Sequence, residues 1–192
     1  FGYQIQPNEI SVQEELEKAL STILRTEIKT TGAGRTDTGV HAKKMFAHFD
    51  IEGEISEKLV HQLNSFLPPS IAVKRIFMVK NDFHARFDAT YRTYEYYISL
   101  EKNPFSEKLA WQHWRKPLDV EKMNEACKIL FEYSDFESFA KIGGDNKTNI
   151  CKIYHANWEQ NGNELKFTIS ADRFLRNMVR AIVGTMVEIG SG

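Results

Sequence analysis

The chain has 192 residues, a formal net charge of −1 and 42% hydrophobic residues, which suits one ordinary domain or two small ones sharing a sheet and excludes a disordered chain. No apolar run reaches the length of a membrane span and no signal-peptide pattern is present, so a soluble cytoplasmic protein is expected. The near-neutral charge gives no global footprint for nucleic acid, so any such binding must come from a local basic surface.

Ser11-Val12-Gln13-Glu14 forms a capping box, and Val12, Leu16, Leu20, Ile23 and Leu24 then recur at helical spacing, which predicts a helix over about residues 11–25. Strand-like segments over 27–33 and 43–50 follow, separated by a glycine-rich loop. Ser56 opens a second helix with Leu59, Val60, Leu63 and Phe66 on one stripe, ended by Pro68-Pro69. Residues 71–80 read as a strand, as do residues 90–100. A helix starting near Asp119 carries Val120, Met123, Cys127 and Leu130 inward. Residues 150–159 and 164–171 form a hairpin around Asn161-Gly162, a dipeptide suited to a type I′ turn. Asp172 caps the last helix, whose apolar face includes Phe174, Leu175, Met178, Ile182 and Val183.

The first half thus reads αββαβ and the second βαββα. Each is a β-α-β-β-α-β unit, one without its opening strand and the other without its closing strand. The expected fold is mixed α/β (α+β). Two split β-α-β halves, ferredoxin- or RRM-like, over residues 1–83 and 84–192, build one largely antiparallel sheet with helices on one side. The chain begins at Phe1 and ends at Gly192 directly after a helix pattern, so it is expected to be an internal piece of a longer one. Cys127 and Cys151 have neither C-x-x-C pairing nor histidine spacing for zinc, and reduced thiols with no metal are expected.

The loop Gly32-Ala33-Gly34-Arg35-Thr36-Asp37-Thr38-Gly39-Val40-His41-Ala42 places one carboxylate among three glycines. Glycine tolerates positive φ and lets another backbone or a ligand come close. Arg35, two residues from Asp37, helps hold that acid ionised. An aspartate among glycines also serves simply as a turn residue bonded to its own backbone, and that reading stands beside the catalytic one. Gly34 and Gly39 have the outer spacing of a phosphate-binding loop, but Val40 and His41 stand where lysine and a hydroxyl belong. Gly32-x-Gly34 is followed by Asp37 where a dinucleotide fold needs its third glycine, so no nucleotide cofactor is expected.

Two further groups carry chemical potential. Arg173, Arg176 and Arg180 fall at i, i+3 and i+7 and would share one sector of the last helix, either as a solvated face or as forks for phosphate or carboxylate. Tyr91, Tyr94, Tyr96 and Tyr97 crowd one strand near His84, Arg86, Phe87 and Arg92. Ordinary strand packing explains such tyrosines, and so does stacking on an RNA base.

Read together, the glycine loop resembles the catalytic motif of the tRNA pseudouridine synthase A (TruA) family. Gln4 to Asn8 with Ser11 to Glu14, Phe83-His-Ala-Arg-Phe87 through Tyr94, and Phe174-Leu175 with Met178-Val-Arg180 and Ile182-Val-Gly184 resemble further family stretches in the same order. Thr38, Tyr3 and Thr93 depart from the common alanine, tryptophan and arginine. The resemblance implies the pseudouridine synthase fold. It also implies isomerisation of uridine in the tRNA anticodon stem-loop at positions thirty-eight, thirty-nine and forty, without cofactor or metal, by a cytoplasmic homodimer. It assigns Asp37 as the catalytic carboxylate, Arg180 as its ion-pair partner, Tyr94 as the ring against the target base, and Arg35 as the side chain entering the space the nucleotide leaves. His41, Arg86, Arg92, Arg173 and Arg176 are expected to contact RNA.

Two readings from other classes compete. A non-catalytic binder with paired RRM-like halves would carry an aromatic-rich signature that is missing here, and would need no acid in the loop. A hydrolase using two carboxylates would need a second glycine-framed acid, and none is evident.

Overall fold

The computed structural model describes residues 2–143 and 147–192; Phe1 lies outside them. The chain divides into two compact units, one ending at Ala89 and one spanning Thr90–Gly192. Residues 84–89, read from the sequence as the start of the second half, belong to the first unit. The class is the expected mixed α/β one, with its strands hydrogen-bonded in two sets where the repeat implies one sheet.

In the first unit the Ser11 hydroxyl accepts the Glu14 N–H at 3.1 Å and starts helix α1, Val12–Leu24, which stops where Arg25 turns left-handed. Ala19 and Leu20 of α1 pack with Ile28 and with Leu59 and Leu63 of helix α2, Leu59–Phe66, to form a small core. Leu67 becomes extended ahead of Pro68, as the residue before a proline must, and α2 ends there.

Strands β1, Thr31–Gly32, and β2, Ala47–His48, pair antiparallel but are far shorter than the segments expected over 27–33 and 43–50. Upstream of β1 the backbone donors are taken by side chains of α1. The Ile28 N–H goes to Ser21 Oγ at 2.9 Å and the Thr30 N–H to Glu17 Oε1 at 2.8 Å. Residues 71–80 form no strand among the described residues. Ile71, Val73 and Ile76 pack on the small core, and Asn64 holds Val73 by both its N–H and its carbonyl, at 2.7 and 2.8 Å. The alternation there reports burial and not a ladder.

The second unit contains β3, Arg92–Ser99; β4, Trp111–Gln112; α3, Val120–Ile129; β5, Ile153–Asn161; β6, Glu164–Ala171; and α4, Met178–Ser191. The sheet order is β4-β3-β6-β5. Strand β6 pairs antiparallel with both β3 and β5, while β4, too short to leave a sequence pattern, joins β3 in parallel. The hairpin turns through Gly162 and Asn163, since Asn161 pairs with Glu164. Only Gly162, with φ 58°, has positive φ, which a type I′ turn does not allow and a type II′ turn requires at its first central position.

Alternate residues of the sheet, among them Ile98, Trp158, Leu165, Phe167 and Ile169, meet Met123 and Cys127 of α3 and Ile182, Val183 and Met186 of α4 in the larger core. The other face is polar: Thr93 bonds Ser170 at 2.9 Å and the Tyr97 hydroxyl donates to Glu95 at 2.7 Å. Cys127 and Cys151 are buried free thiols. Burial pushes Cys127 up to about 11 and raises Cys151 as well, so both stay protonated at neutral pH.

The last helix differs from its expected form. It begins at Met178, because Asn177 adopts φ 66° and breaks the helical path. Asp172 does not cap it; its carboxylate accepts the N–H groups of Lys152 at 2.8 Å and Arg173 at 2.7 Å. Phe174 and Leu175 therefore lie before α4 but still pack into the larger core.

Helix α3 is clamped to the edge strand β5 by one side chain. Asn124 accepts the Trp158 N–H at 2.8 Å and donates to the Trp158 carbonyl at 3.0 Å. Asn124→Ala leaves the Trp158 N–H unpaired in a half-buried setting, while the Trp158 carbonyl keeps Asn157 Nδ2 at 3.2 Å, and is expected to lower unfolding free energy by about 1–3 kcal/mol in urea titrations.

Candidate functional site

The glycine loop is held from the helix side. Glu17 is 7% exposed, and its carboxylate accepts from Thr30 N at 2.8 Å, Thr30 Oγ1 at 3.2 Å and Gln13 Nε2 at 3.0 Å, with Lys29 Nζ 3.7 Å from its other oxygen. Gln13 Nε2 also donates to the Thr30 carbonyl at 2.7 Å. These bonds fix the chain just before the loop. Tyr3 closes it from the other direction: any Cβ on Gly32 would fall within the Tyr3 ring, so only glycine fits there. The Tyr3 hydroxyl is buried, and burial raises its pKa. Gly2, at φ 67°, lies so close to Thr36 that a Cβ would stand 2.5 Å from its carbonyl oxygen.

Beyond β1, the Ala33 N–H reaches the Phe46 carbonyl at 2.8 Å and extends the pairing by one step. The tip then closes as a turn over residues 37–40, with the Val40 N–H on the Asp37 carbonyl at 3.2 Å. Gly39 takes φ 84°, the positive value that the third residue of a type II turn needs. Asp37 thus opens a turn and stands exposed with Arg35 and His41 on the same loop. The turn reading and the catalytic reading of this acid are compatible, since the carbonyl makes the turn and the carboxylate is a separate group.

Arg86 also lies in the first unit. Its guanidinium sits 5.8 Å over the Phe87 ring, and the His84 ring nitrogen Nδ1 accepts the Arg86 backbone N–H at 3.2 Å. The segment is tied to β2 through His48, whose Nδ1 accepts the Ala85 N–H at 3.1 Å and whose ring lies 4.9 Å from that of His84. Sequence reading did not single out His48, which carries no motif of its own.

In the second unit Tyr94 projects from β3 and meets Phe174 edge to face at 5.1 Å. Arg92 Nη1 donates to the Asp172 carbonyl at 2.7 Å. Arg180 lies in the first turn of α4 and lines a shallow concavity of about 360 Å³ with Tyr96, Trp111, Asn177 and Gly184. The expected row of three arginines on one helix face does not form. Arg173 and Arg176 precede the helix; Arg173 flanks Asp172, and the Arg176 carbonyl accepts the Lys141 N–H at 3.0 Å. Trp111 of β4 was also missed by sequence reading, because a two-residue strand shows no alternation. Among the described residues no group of three or more His, Cys, Asp or Glu is placed to hold a metal ion, and no helix is long and apolar enough to cross a membrane.

The family model described as tRNA pseudouridine synthase matches residues 126–192. Similarity to curated proteins runs the full length. The tRNA pseudouridine synthase A of Bacteroides fragilis is 57% identical over 194 residues, covering 100% of this chain and 77% of that protein. The protein of the same name from Parabacteroides distasonis is 54% identical over 193 residues, covering 100% and 76%. The Bacillus subtilis one is 39% identical over 196 residues, covering 100% and 79%. The chain belongs to the tRNA pseudouridine synthase family, and the enzymes of that family are isomerases. Within it, these relatives, which match this chain along its whole length, carry the name tRNA pseudouridine synthase A.

Two loop glycines separate shape from access. Gly39→Ala puts a side chain at φ 84° and is expected to cost about 1–2 kcal/mol. At Gly34 a Cβ would meet nothing within 4 Å, so Gly34→Ala should leave stability within about 0.5 kcal/mol. Urea unfolding of the two variants checks the contrast.

Proposed function

We propose that this enzyme converts uridine to pseudouridine in the anticodon stem-loop of tRNA, at positions thirty-eight, thirty-nine and forty, with Asp37 as the attacking carboxylate. The observation that carries the reading is an exposed aspartate at the head of a type II turn, on a loop braced by Glu17, Tyr3 and Gly2. Similarity along the whole of this chain to enzymes named tRNA pseudouridine synthase A supports the substrate.

The reaction breaks the bond from N1 of the base to C1′ of the sugar, turns the uracil and joins C5 to C1′, after which the C5 proton leaves and N1 is protonated. It is balanced without redox change. An ionised carboxylate serves either by adding to the sugar or by assisting departure of the base, in a site that keeps the detached uracil in place. In this reading Arg180 is the cation that keeps the acid ionised and aimed, a role suited to its planar fork. Tyr94 lies against the target base, its ring already set by the edge of Phe174. Arg35 enters the space vacated by the flipped nucleotide, which offsets part of the unstacking cost of a few kcal/mol. His41, Arg86, Arg92, Arg173 and Arg176 supply the local positive surface that the near-neutral chain otherwise lacks. The working protein is a cytoplasmic homodimer.

Release of tritium from carbon-5-labelled uridine in tRNA tests the chemistry, because only rejoining through C5 expels that hydrogen. Asp37→Asn is expected to abolish release while tRNA binding persists, since removing a carboxylate does not weaken attraction to phosphates. Turnover retained in this variant rules out the carboxylate role. Arg180→Lys is expected to recover less than full activity, and full recovery would mean that a point charge suffices.

A further inference from the structure

The hairpin β5–β6 contains one irregularity. Ile153 pairs with Ala171 and His155 with Ser170, so Tyr154 is an extra residue bulged out of the ladder. A bulge leaves its residue unpaired and re-aims its side chain. Here Tyr154 is aimed at Tyr91, just before β3, and the two rings stack at 5.6 Å with only 14° between their planes. Burial does not account for the pair, because Tyr91 is 57% and Tyr154 44% exposed.

Cations gather at the same end of the sheet. Lys152 Nζ lies 5.9 Å over the Tyr154 ring, and the Arg92 guanidinium is anchored on the Asp172 backbone. Arg92 Nη1 reaches the Asp172 carbonyl, and the backbone N–H groups of Lys152 and Arg173 hydrogen-bond its carboxylate, so Asp172 ties all three residues to this end of the sheet. An exposed, near-parallel aromatic pair with a lysine over one ring and Arg92 next to Tyr91 in the chain is complementary to a π-face that carries a phosphate.

We propose that Tyr91 and Tyr154 form a stacking platform for an unpaired base of the RNA substrate outside the target uridine, with Lys152 and Arg92 holding the adjoining phosphate. The proposal rests on the tRNA reading above and adds to it a positioning surface. Stacking is tolerant of base identity, so the platform contributes grip and register and does not read sequence.

The test measures the tRNA dissociation constant by filter binding at several salt concentrations, and kcat and KM by tritium release. In a variant carrying both Tyr91→Ala and Tyr154→Ala, Kd and KM should rise about tenfold while kcat changes less than about twofold. Tyr154→Phe should restore both, as the ring and not the hydroxyl is needed. Lys152→Ala should lower the salt slope of binding by about one. Unchanged Kd and KM in a folded double variant overturn the proposal. So does a change in oligomeric state with no change in RNA affinity, which would make the patch a protein interface. If the double variant does not fold, Lys152→Glu serves: a weaker Kd supports the platform, and an unchanged one overturns it. Wild-type protein that binds tRNA but releases no tritium would defeat the functional reading alone, since the binding arms still report on the platform.

Discussion

The glycine loop depends on a carboxylate that never reaches it. Glu17 is a buried anion, and an isolated one would cost several kcal/mol. Its charge is tolerated because Thr30 supplies two donors, Gln13 a third, and Lys29 stands at its outer oxygen. The same bonds that satisfy the acid take the Thr30 N–H out of any strand ladder and fix where β1 begins. The loop therefore starts from a rigid point, and Asp37 can sit exposed at a turn without the loop being loose.

The second unit uses a carboxylate in a similar way. Asp172 stands where a helix cap is expected, but it binds the Lys152 and Arg173 N–H groups and so joins the end of β6 to the start of β5. The chain then runs on through Phe174, against Tyr94, and Leu175, in the core, before Asn177 turns it into α4. This detour places an aromatic beside Tyr94 and leaves Arg180 in the first turn of the helix, next to the concavity that Trp111 and Gly184 also line. A helix starting at residue 172 would have had neither effect.

Much of this was open to inspection in the residues alone. Capping at Ser11 and Asp119, the inward stripes of α1 and α3, and the hairpin around Gly162 are local, and local chemistry sets them. The glycine loop was legible because two of its three glycines answer a nearby demand: Gly32 the Tyr3 ring and Gly39 a positive φ. The lengths of β1 and β2, the absence of a ladder over 71–80 and the start of α4 were not legible. In each case an apolar or charged pattern fits two structures equally well, and the choice falls to a partner far away in the chain: Glu17 for Thr30, Asn64 for Val73, Asp172 for Lys152.

The sequence by itself determined the family, the acid in its glycine frame and the elements whose caps and periods are written in adjacent residues. Tertiary structure alone decided which backbone donors enter a ladder, where the last helix starts, and that Tyr154 bulges out to meet Tyr91. The reason is that a hydrogen-bond donor has one best acceptor in the folded chain, and sequence spacing cannot say which distant group will supply it.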